Sequence, residues 1–159
     1  MTPAIRPYVA SDRVSCHRVY FQAVHEGAAE FYTQAQRAAW APSETPALSQ
    51  PNKLLEQWCW VAEAKNGISG FMSLSRNGYL DMAFVVPEAK GTGVADALYA
   101  ALIEQAKAES LGNLTAHASH LARRFFTKHG WQVDYAEDFP LNGQVFERFH
   151  MSLDMMEIT

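Results

Sequence analysis

The chain has 159 residues, which is enough for one domain with a proper hydrophobic core. Its composition is ordinary for a globular protein, and a formal net charge of −4 disfavours a nucleic-acid partner while suiting a cationic substrate. No apolar run is long enough to span a membrane, and the N-terminus lacks a signal-peptide core. We therefore expect a single cytoplasmic domain over residues 1–159, with no membrane partner. Cys16 and Cys59 are predicted to be buried thiols, and no spacing of Cys and His predicts a metal site.

The first third of the chain predicts a strand, a helix and an irregular stretch. The strand covers residues 5–8, and Ser11 with Asp12 predicts a cap for the helix that follows. Apolar residues recur at helical spacing from there to about His25. Residues 26–46 are irregular, with a short helical segment in their middle and prolines that break it.

The middle of the chain predicts three antiparallel strands joined by tight turns. Two Asn-Gly pairs, at residues 66–67 and 77–78, are strong hairpin signals. The predicted strands cover residues 58–62, 68–75 and 79–86. Alternation along the third strand predicts that Leu80, Met82, Phe84 and Val86 share one face and that Asp81, Ala83 and Val85 share the other.

The second half adds two helices and three more strands. A helix over residues 92–110 is predicted to end with Gly112 in a left-handed conformation. A strand over 114–117 follows, then a helix from Ser119 to about Lys128 that Gly130 closes. Two final strands, 131–135 and 145–153, form a hairpin whose loop holds Pro140. The strand–helix–strand step implies parallel neighbours with a right-handed crossover. The predicted fold class is α/β: a mixed α+β sheet, mostly antiparallel with one parallel strand pair, and helices on both faces.

The segment from Val85 to Leu98 predicts an anion site. A hydrophobic strand ends at Pro87, a turn with Gly91 and Gly93 follows, and a helix opens with its first amides free. The glycines lack a Cβ, so a phosphate can approach the backbone closely, and Lys90 adds a positive charge. The alternative is a plain strand-to-helix turn. The segment is neither a P-loop nor a dinucleotide fingerprint, because the Gly-Lys-Ser/Thr and the third glycine are missing.

Two motifs resemble those of the GNAT superfamily of N-acetyltransferases. The acetyl-CoA signature of that family reads Gln or Arg, two free positions, Gly, one free position, then Gly or Ala. Residues 90–95 (Lys-Gly-Thr-Gly-Val-Ala) are similar to it, with Lys90 in the Gln/Arg slot. A later family motif places an Asn three residues before Ala, then an apolar-Tyr pair and Gly-Phe. Here it is matched by Ser119, Ala122, Phe125, Phe126, Gly130 and Trp131.

The resemblance extends beyond these motifs. The order of elements over residues 5–153 is similar to the GNAT fold. Residues 23–25, 32–36, 39–42 and 118–119 resemble a bacterial subgroup of uncharacterised acetyltransferases.

The resemblance implies an acetyl-CoA-dependent N-acetyltransferase. It would transfer an acetyl group directly to a primary amine of a small molecule or peptide, with general-base assistance, no metal and a possible homodimer. Coenzyme A would lie between the third meander strand and its parallel neighbour. Amides near Val85 and Val86 would bind its pantetheine or the acetyl oxygen, and the amides of Gly91, Thr92, Gly93, Val94 and Ala95 would bind its pyrophosphate. The alternative function is a non-catalytic acyl-CoA-binding or sensor domain on the same fold.

Three residues are candidates for the chemistry. Asp81 interrupts an apolar strand and is a candidate general base, or else a solvated strand residue. The thiolate has no evident acid, because Phe126 stands in the family's tyrosine slot and cannot donate a proton. His117 could assist there or be structural, and Ser119 could contact the pantetheine or only cap its helix.

Three polar or aromatic residues in the irregular stretch, His25, Tyr32 and Trp40, are candidates to wall the acceptor pocket. The alternative for Tyr32 and Trp40 is a local core anchor.

Overall fold

The structure, a computed structural model, describes residues 3–157. Its strands are β1 (Ala4–Pro7), β2 (Trp58–Ala64), β3 (Gly67–Leu74), β4 (Tyr79–Val85), β5 (Asn113–Ala118), β6 (Gln132–Leu141) and β7 (Gln144–Asp154). Its helices are α1 (Arg13–Gln22), α2 (Gln34–Trp40), α3 (Val94–Ala108) and α4 (His120–Lys128). A π-helical turn, Ala23–Gly27, extends α1.

The seven strands form one sheet in the order β1-β2-β3-β4-β5-β7-β6. Every neighbouring pair is antiparallel except β4 and β5, which run parallel because α3 supplies the crossover between them. The predicted fold class, a mixed sheet with one parallel pair and helices on both faces, is confirmed.

The helices bury a core on each face of the sheet. On one face α3 and α4 cover the main cluster, where Leu98 and Leu102 are fully buried with Leu74 of β3. Burying each of these leucines stabilises the fold by about 1.5–3 kcal/mol relative to leaving it exposed. On the other face α1 packs its Cys16 against β2 and β3, and Cys59 lies in the same cluster. Both cysteines are buried free thiols, as predicted.

Two predicted helix ends are wrong in their details. Asp12 does not cap α1 with its side chain, because its carboxylate accepts from the Val9 amide at 2.9 Å and pairs with Arg6. At the end of α3 the left-handed residue is Ser110, with φ 56°, rather than Gly112. The chain turns as soon as the helix ends, and the Leu111 amide donates to the Ala106 carbonyl at 3.0 Å.

The last hairpin is longer than predicted. β6 continues to Leu141, and only Asn142 and Gly143, both with positive φ, form the turn. Pro140 was expected in a loop, but it lies within β6. β6 is the edge strand of the sheet, where a missing backbone N–H is tolerated.

Candidate active site

The parallel strands β4 and β5 separate shortly after they meet. They pair at Tyr79 with Thr115 and at Leu80 with Ala116. Beyond that point residues 82–85 pair with β3, and residues 117–118 pair with β7. The gap between residues 81–85 of β4 and residues 117–118 of β5 is called the β4–β5 cleft below. It opens toward the start of α3, so the predicted separation of the two strands is present.

Alternate residues of β4 direct their backbone amide and carbonyl groups into this cleft. The Val86 amide donates to the Ser69 carbonyl of the neighbouring chain segment at 2.8 Å, so it is already occupied. Because backbone groups alternate in direction along a strand, the amide of Val85 faces the cleft. On the other side the Thr115 amide donates to Gly78 at 3.0 Å, so the backbone of His117, two residues on, also faces the cleft.

A β-bulge sits at Asp81. In the register of β3 and β4, Ser73 opposes Met82 and Leu74 opposes Leu80, which leaves Asp81 as the extra residue. The strict alternation expected for this strand is therefore wrong: Leu80 packs in the main core under α3, while Met82 packs on the α1 face. Bulges redirect side chains and are common beside active sites.

The carboxylate of Asp81 has two partners. The Lys53 ammonium lies 2.9 Å from its Oδ2 atom, and the Gln57 side-chain amide donates to the same oxygen at 2.9 Å. The Asp81 side chain is 17% exposed and that of Lys53 is 57% exposed. The Gln57 carbonyl oxygen is buried and finds no partner within residues 3–157. The carboxylate is thus held by the Gln57 amide and by the ammonium of an exposed lysine.

The turn between β4 and α3 carries the predicted anion site. Gly91 and Gly93 have φ values of 79° and 90°, in the left-handed region that favours glycine. Gly93 is the N-cap of α3, and no side chain in the described part of the chain caps this helix. The Ala97 amide makes the first helical bond, to Gly93, so the amides before it are left for a ligand.

Two residues of this turn differ from the others in their contacts. The amide and hydroxyl of Thr92 both donate to the Ala89 carbonyl, so this residue closes the turn. Lys90 is exposed beside the turn. An open cavity of about 600 Å³ borders the other side of the turn, lined by Thr92, Val94 and, from α1, Arg18.

The residues of the second family motif serve the fold. The Ser119 hydroxyl accepts from the Ala122 amide at 3.1 Å, which confirms that it caps α4. Phe126 is buried in the main core with its ring 4.9 Å from that of Trp131. Its side chain offers no proton to a ligand.

His117 forms a pair with Tyr79 that sequence reasoning missed. The Tyr79 hydroxyl lies 2.9 Å from Nδ1 of His117, and the two rings meet edge-on at 5.2 Å. The sequence predicted that these two strands are parallel neighbours, but it did not give their register, so it could not bring the two side chains together. On its other side the His117 ring meets the ring of His150 at 4.1 Å, and His150 Nε2 donates to Glu137 at 2.8 Å.

The three predicted acceptor residues lie around α2, before it, at its end and in contact with the residue after it. His25 donates from Nε2 to the Ala41 carbonyl at 2.7 Å. Tyr32 is buried, and its hydroxyl accepts from the His120 amide at the start of α4 at 2.9 Å. Trp40 is half-buried, packing against Tyr32 at 5.4 Å and facing Phe84 of β4 at 6.3 Å.

A second cavity lies on the same face of the sheet. It holds about 320 Å³ between α1, residues 46–54 and the strands β3 and β4. Its walls include His17 and Tyr20 of α1, and its floor includes Met82. This pocket adjoins β4 next to Asp81.

The comparisons with known proteins decide the family. The model of the acetyltransferase (GNAT) domain matches residues 22–153, most of the chain. The chain belongs to the GNAT acetyltransferase family. The GNAT resemblance and the enzyme class, an N-acetyltransferase, are thereby confirmed.

Known proteins resemble this GNAT chain in sequence and in fold. The uncharacterized N-acetyltransferase YafP of Escherichia coli (strain K12) is 34% identical over 147 residues, 92% of this chain and 93% of YafP. A GCN5-related N-acetyltransferase from Rhodopseudomonas palustris is 28% identical with a TM-score of 0.87, covering 97% of this chain and 96% of that one. The yncA protein of Salmonella typhimurium, solved with its cofactor acetyl-CoA, shares the fold at 19% identity and a TM-score of 0.67, covering 98% of this chain and 95% of that one.

Within residues 3–157 no helix is long and apolar enough to cross a membrane. The same residues contain no group of three or more His, Cys, Asp and Glu side chains arranged to hold a metal ion.

Proposed function

We propose that this GNAT chain transfers the acetyl group of acetyl-CoA directly to a primary amine of a small molecule or peptide. The observation that carries the proposal is the β4–β5 cleft, which opens toward the uncapped start of α3. The cleft presents backbone donors along its length and the helix start presents more, as a cosubstrate with a long amide arm and a pyrophosphate requires. Acetyl-CoA supplies the thioester that an amine can attack.

The chain's own groups divide the work of holding the cosubstrate. The Val85 amide faces the cleft and is placed to bind the pantetheine or the acetyl oxygen. The amides of Gly93, Val94 and Ala95 bind the pyrophosphate, where the helix dipole also favours negative charge. Lys90 is exposed and adds a screened attraction.

Asp81 is the proposed general base. It is the first β4 residue of the β4–β5 cleft, and both its partner Lys53 and the next residue, Met82, line the second cavity. The Lys53 partner of its ion pair is 57% exposed, so solvent screens that side of the interaction. An acceptor ammonium can therefore replace Lys53 at small cost, and Asp81 then takes its proton while Gln57 keeps the carboxylate oriented.

The acceptor wall is proposed to be built around Trp40. Its half-buried ring is available to an amine through cation–π contact. His25 and Tyr32 hold this wall in place through the Ala41 carbonyl and the His120 amide.

One observation favours the second candidate, a non-catalytic acyl-CoA sensor: Phe126 lacks the hydroxyl that the family motif has. The test combines calorimetric binding of acetyl-CoA with thiol release and product mass for L-lysine, spermidine, tyramine, glucosamine and a trialanine peptide. An acetyltransferase releases one thiol for each acetylated amine, and Asp81→Asn lowers turnover by about 10²–10⁴-fold with binding unchanged. A sensor binds acetyl-CoA and acetylates none of them.

A further inference from the structure

Acetylation of an ammonium has to dispose of two protons, and Asp81 accounts for only one. The first leaves the ammonium before attack. The second leaves the same nitrogen as the C–N bond forms, and one proton must reach the sulfur as the C–S bond breaks. Phe126 cannot deliver it. Since acetyl transfer is itself the proposed function of this chain, the inference below rests on that proposal.

Tyr79 and His117 stand where the β4–β5 cleft closes. Tyr79 is the first residue of β4 and pairs with Thr115, and His117 is the first β5 residue after the strands part. The Tyr79 hydroxyl, half-buried, contacts Nδ1 of His117 at 2.9 Å. The backbone of His117 faces the cleft, because the Thr115 amide two residues earlier donates to Gly78 on the β4 side. The His117 ring is solvent-accessible, so a ligand in the cleft can reach the pair.

We propose that the hydrogen-bonded pair Tyr79–His117 carries the second proton from the amine nitrogen to the departing thiolate. As the C–N bond forms, the nitrogen gives its proton to the Tyr79 oxygen while the Tyr79 proton moves to Nδ1 of His117. As the C–S bond breaks, the proton on Nδ1 returns to the Tyr79 oxygen while Tyr79 gives its other proton to the sulfur. Both side chains return to their starting forms, and no redox step or further reactant is needed.

The surroundings keep both partners neutral, which a group that must accept and then donate requires. Burial, followed by the nearby Asp81 carboxylate, raises the pKa of Tyr79. Partial desolvation, followed by the charges of Arg148 and His150, lowers the pKa of His117. The pair therefore starts with the hydroxyl as donor and Nδ1 as acceptor.

The strands β6 and β7 support the imidazole from the other side. The Glu137 carboxylate of β6 raises the pKa of His117, whereas Arg148 lowers it. Glu137 also accepts hydrogen bonds from His150 at 2.8 Å and from Arg148 at 2.6 Å. Tyr135 stacks on His150 at 4.0 Å. When His117 briefly carries the extra proton, the Glu137 carboxylate supplies a countercharge across the His150 ring.

Three variants test the pair, with a matched tyrosine as control. Tyr79→Phe removes only the hydroxyl, while His117→Asn keeps a hydrogen-bond acceptor near the Nδ1 position but cannot take up a proton. Each is expected to lower kcat with spermidine and tyramine by about 10²-fold, with acetyl-CoA Kd changed less than twofold. The double variant is expected to be no slower than either single one, because the two groups act as a unit. Tyr99→Phe, which removes a hydroxyl bonded to Trp131 in the main core, leaves kcat unchanged.

Two outcomes would overturn the proposal. If His117→Asn keeps full turnover, the histidine only positions the hydroxyl. If the two losses multiply in the double variant, the groups act separately. The pH dependence of kcat gives an independent test. Wild-type kcat is expected to fall at acid pH as His117 becomes protonated, and this fall is absent in His117→Asn.

A measurement without an acceptor separates this proposal from the proposed function. The ultraviolet absorbance of the thiolate of bound coenzyme A is titrated in the wild type and in Tyr79→Phe. A Tyr79 hydroxyl that donates to sulfur favours the thiolate, so the variant is expected to hold a severalfold smaller thiolate fraction at the same pH. If no probe amine is acetylated but this shift is present, acetyl transfer to those amines fails while the contact of Tyr79 with sulfur stands. An unchanged thiolate fraction rejects the pair even in an active enzyme.

Discussion

Replacing Gly93 with alanine separates the anion site from the fold. Gly93 has φ 90°, and a Cβ added there would meet no atom within 4 Å, so the protein itself offers no steric clash. The cost to folding is the left-handed conformation alone, about 1–2 kcal/mol. Gly143 in the β6–β7 turn has φ 82° and equally open space, which makes Gly143→Ala a matched control far from the cleft.

The effect on binding is expected to be larger than the effect on folding. The new methyl group occupies the space through which a phosphate approaches the amides of Val94 and Ala95. Loss of one hydrogen bond to a charged group costs about 1.5–3 kcal/mol. At 1.4 kcal/mol for each factor of ten, acetyl-CoA Kd rises about 10- to 100-fold.

The assay is calorimetric titration of acetyl-CoA, with denaturant unfolding measured on the same samples. Gly93→Ala and Gly143→Ala are expected to lose similar stability, and only Gly93→Ala loses affinity. If Gly93→Ala binds acetyl-CoA within threefold of the wild type while losing stability like the control, the pyrophosphate does not bind at this turn.

Three further predictions concern one ligand contact, one buried hydrogen bond and one partly buried ion pair. Lys90→Ala should raise acetyl-CoA Kd by less than tenfold, since an exposed charge contributes about 1 kcal/mol or less, and a loss above a hundredfold would contradict its exposure. Tyr99→Phe should lower the free energy of unfolding by about 1–3 kcal/mol, because the buried Trp131 Nε1 donates to that hydroxyl at 2.8 Å, and an unchanged denaturant midpoint would refute it. Arg6 holds the pKa of Asp12 below its ordinary value, so this carboxylate stabilises the fold at neutral pH and loses that contribution as the pH falls through its lowered pKa. Denaturant unfolding should therefore show that the stability gap between wild type and Asp12→Asn is wide at pH 7 and narrows at acid pH, and a gap that widens would contradict the sign.

Local sequence signals predicted the parts of the site that are themselves local. The glycine turn after Pro87, the free start of α3 and the Ser119 cap each depend on a few neighbouring residues, and the structure has all three. Their physical causes are backbone conformation and hydrogen bonds within one turn, which residue type alone indicates well. Single-domain organisation, a cytoplasmic location and a homodimer stay predictions.

Features that depend on register could not be predicted in this way. The bulge at Asp81 is a property of how β4 pairs with β3, and the Tyr79–His117 contact requires two strands separated by the whole of α3. The occupied amide of Val86 likewise depends on Ser69. The length of β6 was missed because Pro140 indicates a loop locally, while the edge position that tolerates it is set by the order of strands.

The central claim is that acetyl-CoA lies in the β4–β5 cleft with its pyrophosphate at the start of α3. Residue-resolved amide hydrogen exchange, with and without acetyl-CoA, tests it most directly. The account predicts new protection at the amides of Val85, Val94 and Ala95, with little change at Val86, whose amide is already bonded to Ser69. Protection confined to the α1 and 63–69 walls of the 600 Å³ cavity that Arg18 lines, with Val85 and the first turn of α3 unchanged, would contradict it.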